Sequence, residues 1–318
     1  MLNLLLLLTG FVPLLYGANL LVESASSLAK RLNIPNIVIG LTIVAFGTSA
    51  PELTINVFAS LKHNSDIALG NIIGSNIFNI AGILGISAIL YPLAVKPKTT
   101  WIEIPLCFLS ALVVFVLSFD VLINGDGESV LKRTDGIIFI LFFLIFLGYI
   151  IQYTLSSDYE EEAPAKQYSV VLSIILIIAG LALLIAGGRI IVVFAVKLAQ
   201  EIGLSERIIA LTIVSIGTSF PELAISIISA KKKNIDLAVG NIVGSNIFNA
   251  FFILGISAII SPVVVQQKAY FDICVNLLIS FLLFLFIFTG KGRKIDRVEG
   301  LIFILLYVGY IVTLFKIA

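Results

Sequence analysis

The chain has 318 residues, 59% of them hydrophobic and 12% charged, with a formal net charge of +1. A soluble domain carries about 25% charged residues, so a water-soluble enzyme and a disordered chain are both excluded. The balance of 20 Lys and Arg against 19 Asp and Glu carries no nucleic-acid signature, which leaves an all-α integral membrane protein built almost wholly of spanning helices.

A spanning helix needs about 20 apolar residues. Apolar runs between polar breaks predict ten, near residues 3–27, 35–60, 67–90, 102–122, 135–154, 169–198, 206–230, 237–260, 270–289 and 299–316. The first run, from Leu2 to Leu21, is too long for a signal-peptide core and lacks a basic lead-in, so it reads as a retained helix. Asn124, Gly125, Asp126, Gly127 and Glu128 form a turn-rich break between the fourth and fifth helices. Asp120, Asp126 and Glu128, around that break, read as solvated. The longest polar connection, Ser156 to Gln167, contains Asp158, Glu160, Glu161 and Glu162. It divides the chain into residues 1–155, an acidic linker 156–168, and residues 169–318.

The two parts repeat. Residues 41–60 align with 211–230, and 66–90 with 236–260, at a constant offset of 170, with 11 of 20 and 18 of 25 positions identical. Apolar composition alone does not produce Gly-Thr-Ser-x-Pro-Glu-Leu twice and Gly-Asn-Ile-x-Gly-Ser-Asn-Ile-Phe-Asn twice. The pattern is an internal duplication. Five helices per part is an odd number, so the second part enters the membrane from the opposite side, giving two inverted five-helix repeats. Counted by loop, 12 Lys and Arg fall on one side and seven on the other, with Arg189 inside a helix. The richer side is expected to be cytoplasmic, with the linker there and both termini extracellular.

Glu52 and Glu222 stand at equivalent positions within apolar helices. A carboxylate at membrane depth is costly and points to function, although a neutral glutamate bonded to a neighbouring helix is the plain alternative. Pro51 and Pro221 precede them. Proline lacks an N–H and its ring crowds the carbonyl four residues back, so the Gly47 and Gly217 carbonyls are expected to leave the helix ladder. Thr48 and Thr218 lie four residues before the glutamates, a spacing that puts hydroxyl and carboxylate on one helix face. Carboxylate, hydroxyl and bare carbonyl suit a hard cation; a simple proline kink is the alternative. In the second motif Asn71, Ser75 and Asn79 recur every four residues, as do Asn241, Ser245 and Asn249. Gly70 and Gly74 form a small-residue face for helix packing, and Asn71 and Asn241 read as packing glue. Ser75, Asn79, Ser245 and Asn249 read as oxygen ligands facing the glutamates, with helix packing as the alternative. Cys107 and Cys274 read as small buried hydrophobes, His63 as a surface residue at a helix end, and Trp101 and Tyr91 as interfacial.

These paired motifs, over residues 41–92 and 211–262, resemble the alpha repeats of the cation/calcium antiporter superfamily, most closely prokaryotic sodium/calcium exchangers. The resemblance implies sodium/calcium exchange by alternating access, without enzymatic activity or a cofactor. Calcium and sodium ions would be the cargo and the lipid bilayer the other partner. The chain would act as a monomer in the cell membrane. It implies a diamond of four ion sites between the second, third, seventh and eighth helices. Glu52 and Glu222 would bind calcium with Thr48 and Thr218. Ser49, Ser75, Ser219 and Ser245 would complete flanking sodium sites, with backbone carbonyls of Ala45 and Ser215. Asn79 and Asn249 match the central positions. Some archaeal and potassium-dependent relatives carry aspartate where Asn249 stands, so asparagine argues against potassium dependence. Proton- or potassium-coupled antiport, and in another class a cation channel, are the alternatives.

Overall fold

The computed structural model describes residues 2–120, 125, 129–156, 168–201, 215–289 and 292–317. Asp126, Glu128, most of the acidic linker and residues 202–214, which include the start of the expected seventh helix, lie outside them. In chain order the helices are α1 (Leu2–Leu32), α2 (Asn36–Thr48), α3 (Ala50–Leu61), α4 (Ser65–Leu90), α5 (Thr99–Ser118) and α6 (Arg133–Ser156), followed by α7 (Val170–Glu201), α8 (Ser215–Thr218), α9 (Phe220–Lys231), α10 (Ile235–Ile260), α11 (Ala269–Phe286) and α12 (Arg297–Ile317). Eight of these are long and apolar enough to cross a membrane, and the bent pair α2 and α3 makes a ninth among the described residues. The expected seventh helix is represented by α8 and α9.

Local chemistry sets the helix boundaries in duplicate. Asn64 caps α4 by accepting the Ile67 N–H at 3.1 Å, and Asn234 caps α10 by accepting the Leu237 N–H at 3.1 Å. Asp66 and Asp236 follow in the first turns, where a negative charge suits the helix dipole. Pro51 and Pro221 occupy the first turns of α3 and α9, where the missing N–H costs nothing. The prolines thus begin new helices rather than merely kinking old ones.

The sequence pattern did not announce two other features. Gly40–Val44, Phe78–Leu84, Thr99–Glu103 and Phe248–Ile253 are wound as π-helix, a form that often accompanies functional sites. Four two-residue strands also form, β1 (Leu93–Ala94), β2 (Val130–Leu131), β3 (Val263–Val264) and β4 (Lys294–Ile295). β1 pairs antiparallel with β4, and β2 with β3. Each pairing joins a connector from the first part of the chain to one from the second.

The apolar interior has two bodies. The larger gathers α4, α5, α6, α10, α11 and α12 around residues such as Ile72, Ile77, Phe139, Ile242 and Phe251. The smaller is centred on α1 and α7, with Leu14, Leu21, Leu184 and Ile191. There a Cβ at Gly10 would lie 3.0 Å from the Gly187 carbonyl, and one at Gly17 would lie 2.7 Å from the Gly180 carbonyl. The reciprocal substitutions are as tight, at 2.7 Å for Gly187 and 3.0 Å for Gly180. Two glycine pairs thus bring antiparallel helices to backbone contact.

Tyrosines tie two acids, the buried Glu103 and the half-buried Asp272, at the edges of the larger body. The Tyr149 hydroxyl donates to Glu103, and the Tyr310 hydroxyl donates to Asp272 at 3.0 Å. Cys107 is buried as expected, whereas Cys274 is exposed on α11, whose outer surface is apolar enough to face lipid. His63 is exposed and contacts the Ser261 hydroxyl at 2.8 Å. Trp101 is exposed and packs on Phe284 and Phe288.

Candidate functional site

The site begins at the two helix breaks. Ser49 (φ −82°, ψ 6°) interrupts α2 and α3, which meet at a 48° bend, and Ser219 (φ −90°, ψ 9°) interrupts α8 and α9. The Ser49 N–H donates to the Ala45 carbonyl at 3.0 Å, while the Ser219 N–H donates to the Ile216 carbonyl at 3.1 Å. The Ala45 carbonyl also receives the Thr48 hydroxyl at 3.3 Å. Ser215 opens α8. Gly47 and Gly217 have a steric role as well. A Cβ on Gly47 would lie 2.5 Å from Leu181, and one on Gly217 would lie 2.2 Å from Val192, both on α7.

Glu52 and Glu222 are fully buried and close enough for their charges to interact. Hydroxyls from each part of the chain reach the glutamate of the other. The Ser219 hydroxyl donates to Glu52 Oε1 at 3.2 Å, and the Thr218 hydroxyl bonds the same carboxyl. The Ser49 hydroxyl donates to Glu222 Oε1 at 3.3 Å, joined by Thr48. The four-residue spacing had set each threonine beside its own glutamate; the break at Ser49 or Ser219 turns it toward the opposite one. Thr48 also contacts Asn241 Oδ1 at 3.3 Å.

α4 and α10 supply the remaining polar groups. The Ser75 hydroxyl reaches Glu52 Oε1 at 3.4 Å. Ser245, its counterpart, is buried with no hydrogen-bond partner among the described residues. Asn71 donates to the Glu52 carbonyl at 3.4 Å and to Asn56 at 2.7 Å. Asn241 donates to the Glu222 carbonyl at 3.4 Å and to Ser226 at 3.3 Å. Both tether the glutamate-bearing helices, in keeping with a packing role. A Cβ on Gly244 would lie 2.7 Å from the Leu41 backbone and one on Gly240 2.9 Å from the Ile37 carbonyl, so the small-residue face is used on α10.

Asn76 and Asn246 were not singled out from sequence, although each directly follows Ser75 or Ser245 in the motif. They exchange bonds across α4 and α10. Asn76 Nδ2 donates to the Asn246 carbonyl at 3.3 Å, and Asn246 Nδ2 to the Asn76 carbonyl at 3.2 Å. Their own Oδ1 atoms accept from Asn249 Nδ2 at 3.1 Å and Asn79 Nδ2 at 2.9 Å. This ring fixes the orientation of the Asn79 and Asn249 amides.

Four buried acceptors are thereby left without a hydrogen-bond donor among the described residues: Oε2 of Glu52, Oε2 of Glu222, and Oδ1 of Asn79 and Asn249. Buried oxygens without donors are costly, and a hard cation satisfies several at once. No group of three or more His, Cys, Asp or Glu side chains suited to a metal occurs among the described residues, so the carboxylate pair is supplemented by neutral hydroxyl and amide oxygens.

Comparison with known proteins agrees with this geometry. The family model for sodium/calcium exchanger proteins matches residues 2–152 and 172–316. CaxA of Alkalimonas amylolytica, which bears an antiporter name, is 38% identical over 97% of each chain. The sodium/calcium exchanger MaX1 of Methanosarcina acetivorans is 32% identical over 99% of each. Among solved structures, the sodium-calcium exchanger NCX_Mj soaked with Na+ and Sr2+ superposes with a TM-score of 0.83 at 32% identity, covering 98% of both chains. The chain is a multi-pass membrane protein and belongs to the sodium/calcium exchanger family.

Proposed function

We propose that the chain exchanges sodium for calcium across the cell membrane by alternating access. The observation that carries this reading is the crossed pair of buried glutamates, each bonded by hydroxyls of the other part of the chain. The relation to MaX1 and to NCX_Mj, named as sodium/calcium exchangers, supports the choice of ions.

Calcium binds between Glu52 and Glu222, with Thr48 and Thr218 oxygens completing its shell. Sodium ions occupy flanking positions formed by Ser49, Ser75, Ser219 and Ser245 with the Ala45 and Ser215 carbonyls. Asn79 and Asn249 turn their amide oxygens toward the centre. Two ionised carboxylates give a charge of about −2, neutralised by one Ca2+ or two Na+. An empty site resists enclosure, because an uncompensated buried charge costs several kcal/mol. Only a loaded site therefore passes through the closed state, which yields exchange rather than leak. A third sodium on neutral oxygens makes the sodium-loaded form more positive and the exchange electrogenic.

The frame is ten spans in two inverted repeats, residues 1–155 and 169–318, joined by a cytoplasmic linker at 156–168, with both termini extracellular. The duplicated motifs, caps, breaks and strand pairings support it. The chain acts as a monomer, and α1 with α7 moves against the ion-binding helices.

Calcium uptake into sodium-loaded vesicles tests the reading. Uptake is expected to require an outward sodium gradient and to be abolished in Glu52→Gln and in Glu222→Gln. Uptake driven by a proton or potassium gradient at zero sodium would assign a different coupling ion, and unchanged uptake in both variants would remove the site.

A further inference from the structure

The ion site does not account for a notch of about 420 Å³ on the outer surface between α4 and α12. One wall is Gly82, Ile86, Ile89 and Leu90 of α4, the other Ile304 and Tyr307 of α12, and Phe78 closes it. The repeats differ at this notch. Residue 82 is glycine, whereas the position 170 residues later is Phe252, whose ring packs on Phe248 at 4.7 Å and Phe143 at 5.0 Å. In the first copy the Phe78 ring lies against Gly82, 2.4 Å from where a Cβ would stand, and no ring stands at residue 82 itself.

The same helix faces lead to a basic end. Arg297 lies seven residues before Ile304 on α12, two turns and about 10 Å away along one face. β4 pairs Ile295 with Leu93, and the Val95 N–H donates to the Arg293 carbonyl at 2.8 Å. The Arg293 backbone is thereby held just beyond the end of α4. Lys294 is engaged with Asp296 at 2.8 Å, while Arg293 and Arg297 are exposed and form no salt bridge among the described residues. An apolar slot with Arg297 two turns along α12 and the Arg293 backbone just beyond the end of α4 matches a tail joined to a phosphate. A zwitterionic lipid brings its phosphate together with a compensating ammonium, whereas an anionic lipid brings net negative charge to a segment where Arg293, Lys294 and Arg297 outnumber Asp296.

We propose that this notch binds one anionic phospholipid, with an acyl chain between α4 and α12 and its phosphate at Arg293 and Arg297. Guanidinium presents paired donors suited to phosphate oxygens, and basic pockets at the ends of spanning helices take acidic headgroups.

Native mass spectrometry of the full chain, incubated with phosphatidylglycerol or phosphatidylcholine, tests this. One phosphatidylglycerol is expected to be retained at about tenfold lower lipid concentration than phosphatidylcholine, the order of one charge-assisted hydrogen bond, which the choline ammonium weakens by competing for the phosphate. Arg293→Gln with Arg297→Gln should abolish that preference. Ile86→Phe, which adds bulk inside the notch, should reduce retention of both lipids. Phosphatidylglycerol with a photoreactive acyl chain should label peptides containing Ile86 or Ile304. Equal retention of the two lipids, a preference untouched by the exposed arginine substitutions, or labelling confined to other helices would overturn the proposal. These readouts do not involve sodium or calcium, so they stand apart from the test of exchange.

Discussion

At the scale of single residues, the site is a set of oxygens whose directions are decided by neighbours. The Asn79 and Asn249 amides are held through their nitrogens by Asn246 and Asn76, so their oxygens remain for an ion. Asn76→Ala or Asn246→Ala should free one amide to rotate. An unsatisfied or misdirected buried polar group costs about 1–3 kcal/mol. The calcium KM in vesicle uptake should therefore rise about tenfold or more, with a smaller change in maximal rate and an unchanged elution profile. Glu52 and Glu222 were legible in sequence because a carboxylate stands out in an apolar run and occurs twice. Asn76 and Asn246 were not, because the every-fourth-residue stripe of Asn71, Ser75 and Asn79 drew attention away from the residue beside it. The crossing of Thr48 and Thr218 was also hidden. Helical spacing assumes an unbroken helix, and the break at Ser49 or Ser219 redirects each hydroxyl.

At the scale of elements, α1 and α7 touch through Gly10, Gly17, Gly180 and Gly187. The pairing of Gly10 with Gly187 and of Gly17 with Gly180 was not legible, since it depends on two segments more than 150 residues apart. A methyl at Gly17 would meet the Gly180 carbonyl at 2.7 Å and the Leu184 nitrogen at 2.9 Å, both backbone atoms without a rotamer to yield. Gly17→Ala should therefore destabilise by about 1–3 kcal/mol, read as a lower melting temperature, and should slow sodium-driven uptake. Gly148→Ala, on α6, meets no atom within 4 Å and should leave both unchanged. The π-wound turns were not legible either. Their sequences are ordinary apolar helix, and only packing against neighbouring helices selects the wider turn.

At the scale of the whole molecule, the candidate site joins two parts of the chain, so ion binding would also register as a stability change. A ligand at 100 times its Kd adds about 2.7 kcal/mol to the folded state. Calcium should raise the melting temperature of the purified protein, and Glu52→Gln should remove most of that rise. If three sodium ions exchange for one calcium, each transported net charge responds to voltage with about 2.3 kcal/mol per 100 mV. A valinomycin-imposed potential, negative inside, should then slow calcium uptake by sodium-loaded vesicles, which releases net positive charge. The duplicated architecture was legible from the 170-residue offset, whereas the strand pairings were not, because two-residue strands leave no pattern to read.

The crossed hydroxyls have a bearing on the protein's ancestry. A fragment ending before the acidic connection owns Glu52 and Ser75 but not Ser219, which also bonds that acid, and the other fragment owns Glu222 but not Ser49. On the proposed inverted frame, two copies of one fragment facing opposite ways would have met each other's needs. Once fused, the halves were free to diverge at the periphery, as Gly82 and Phe252 have, but not where each serves the other's acid.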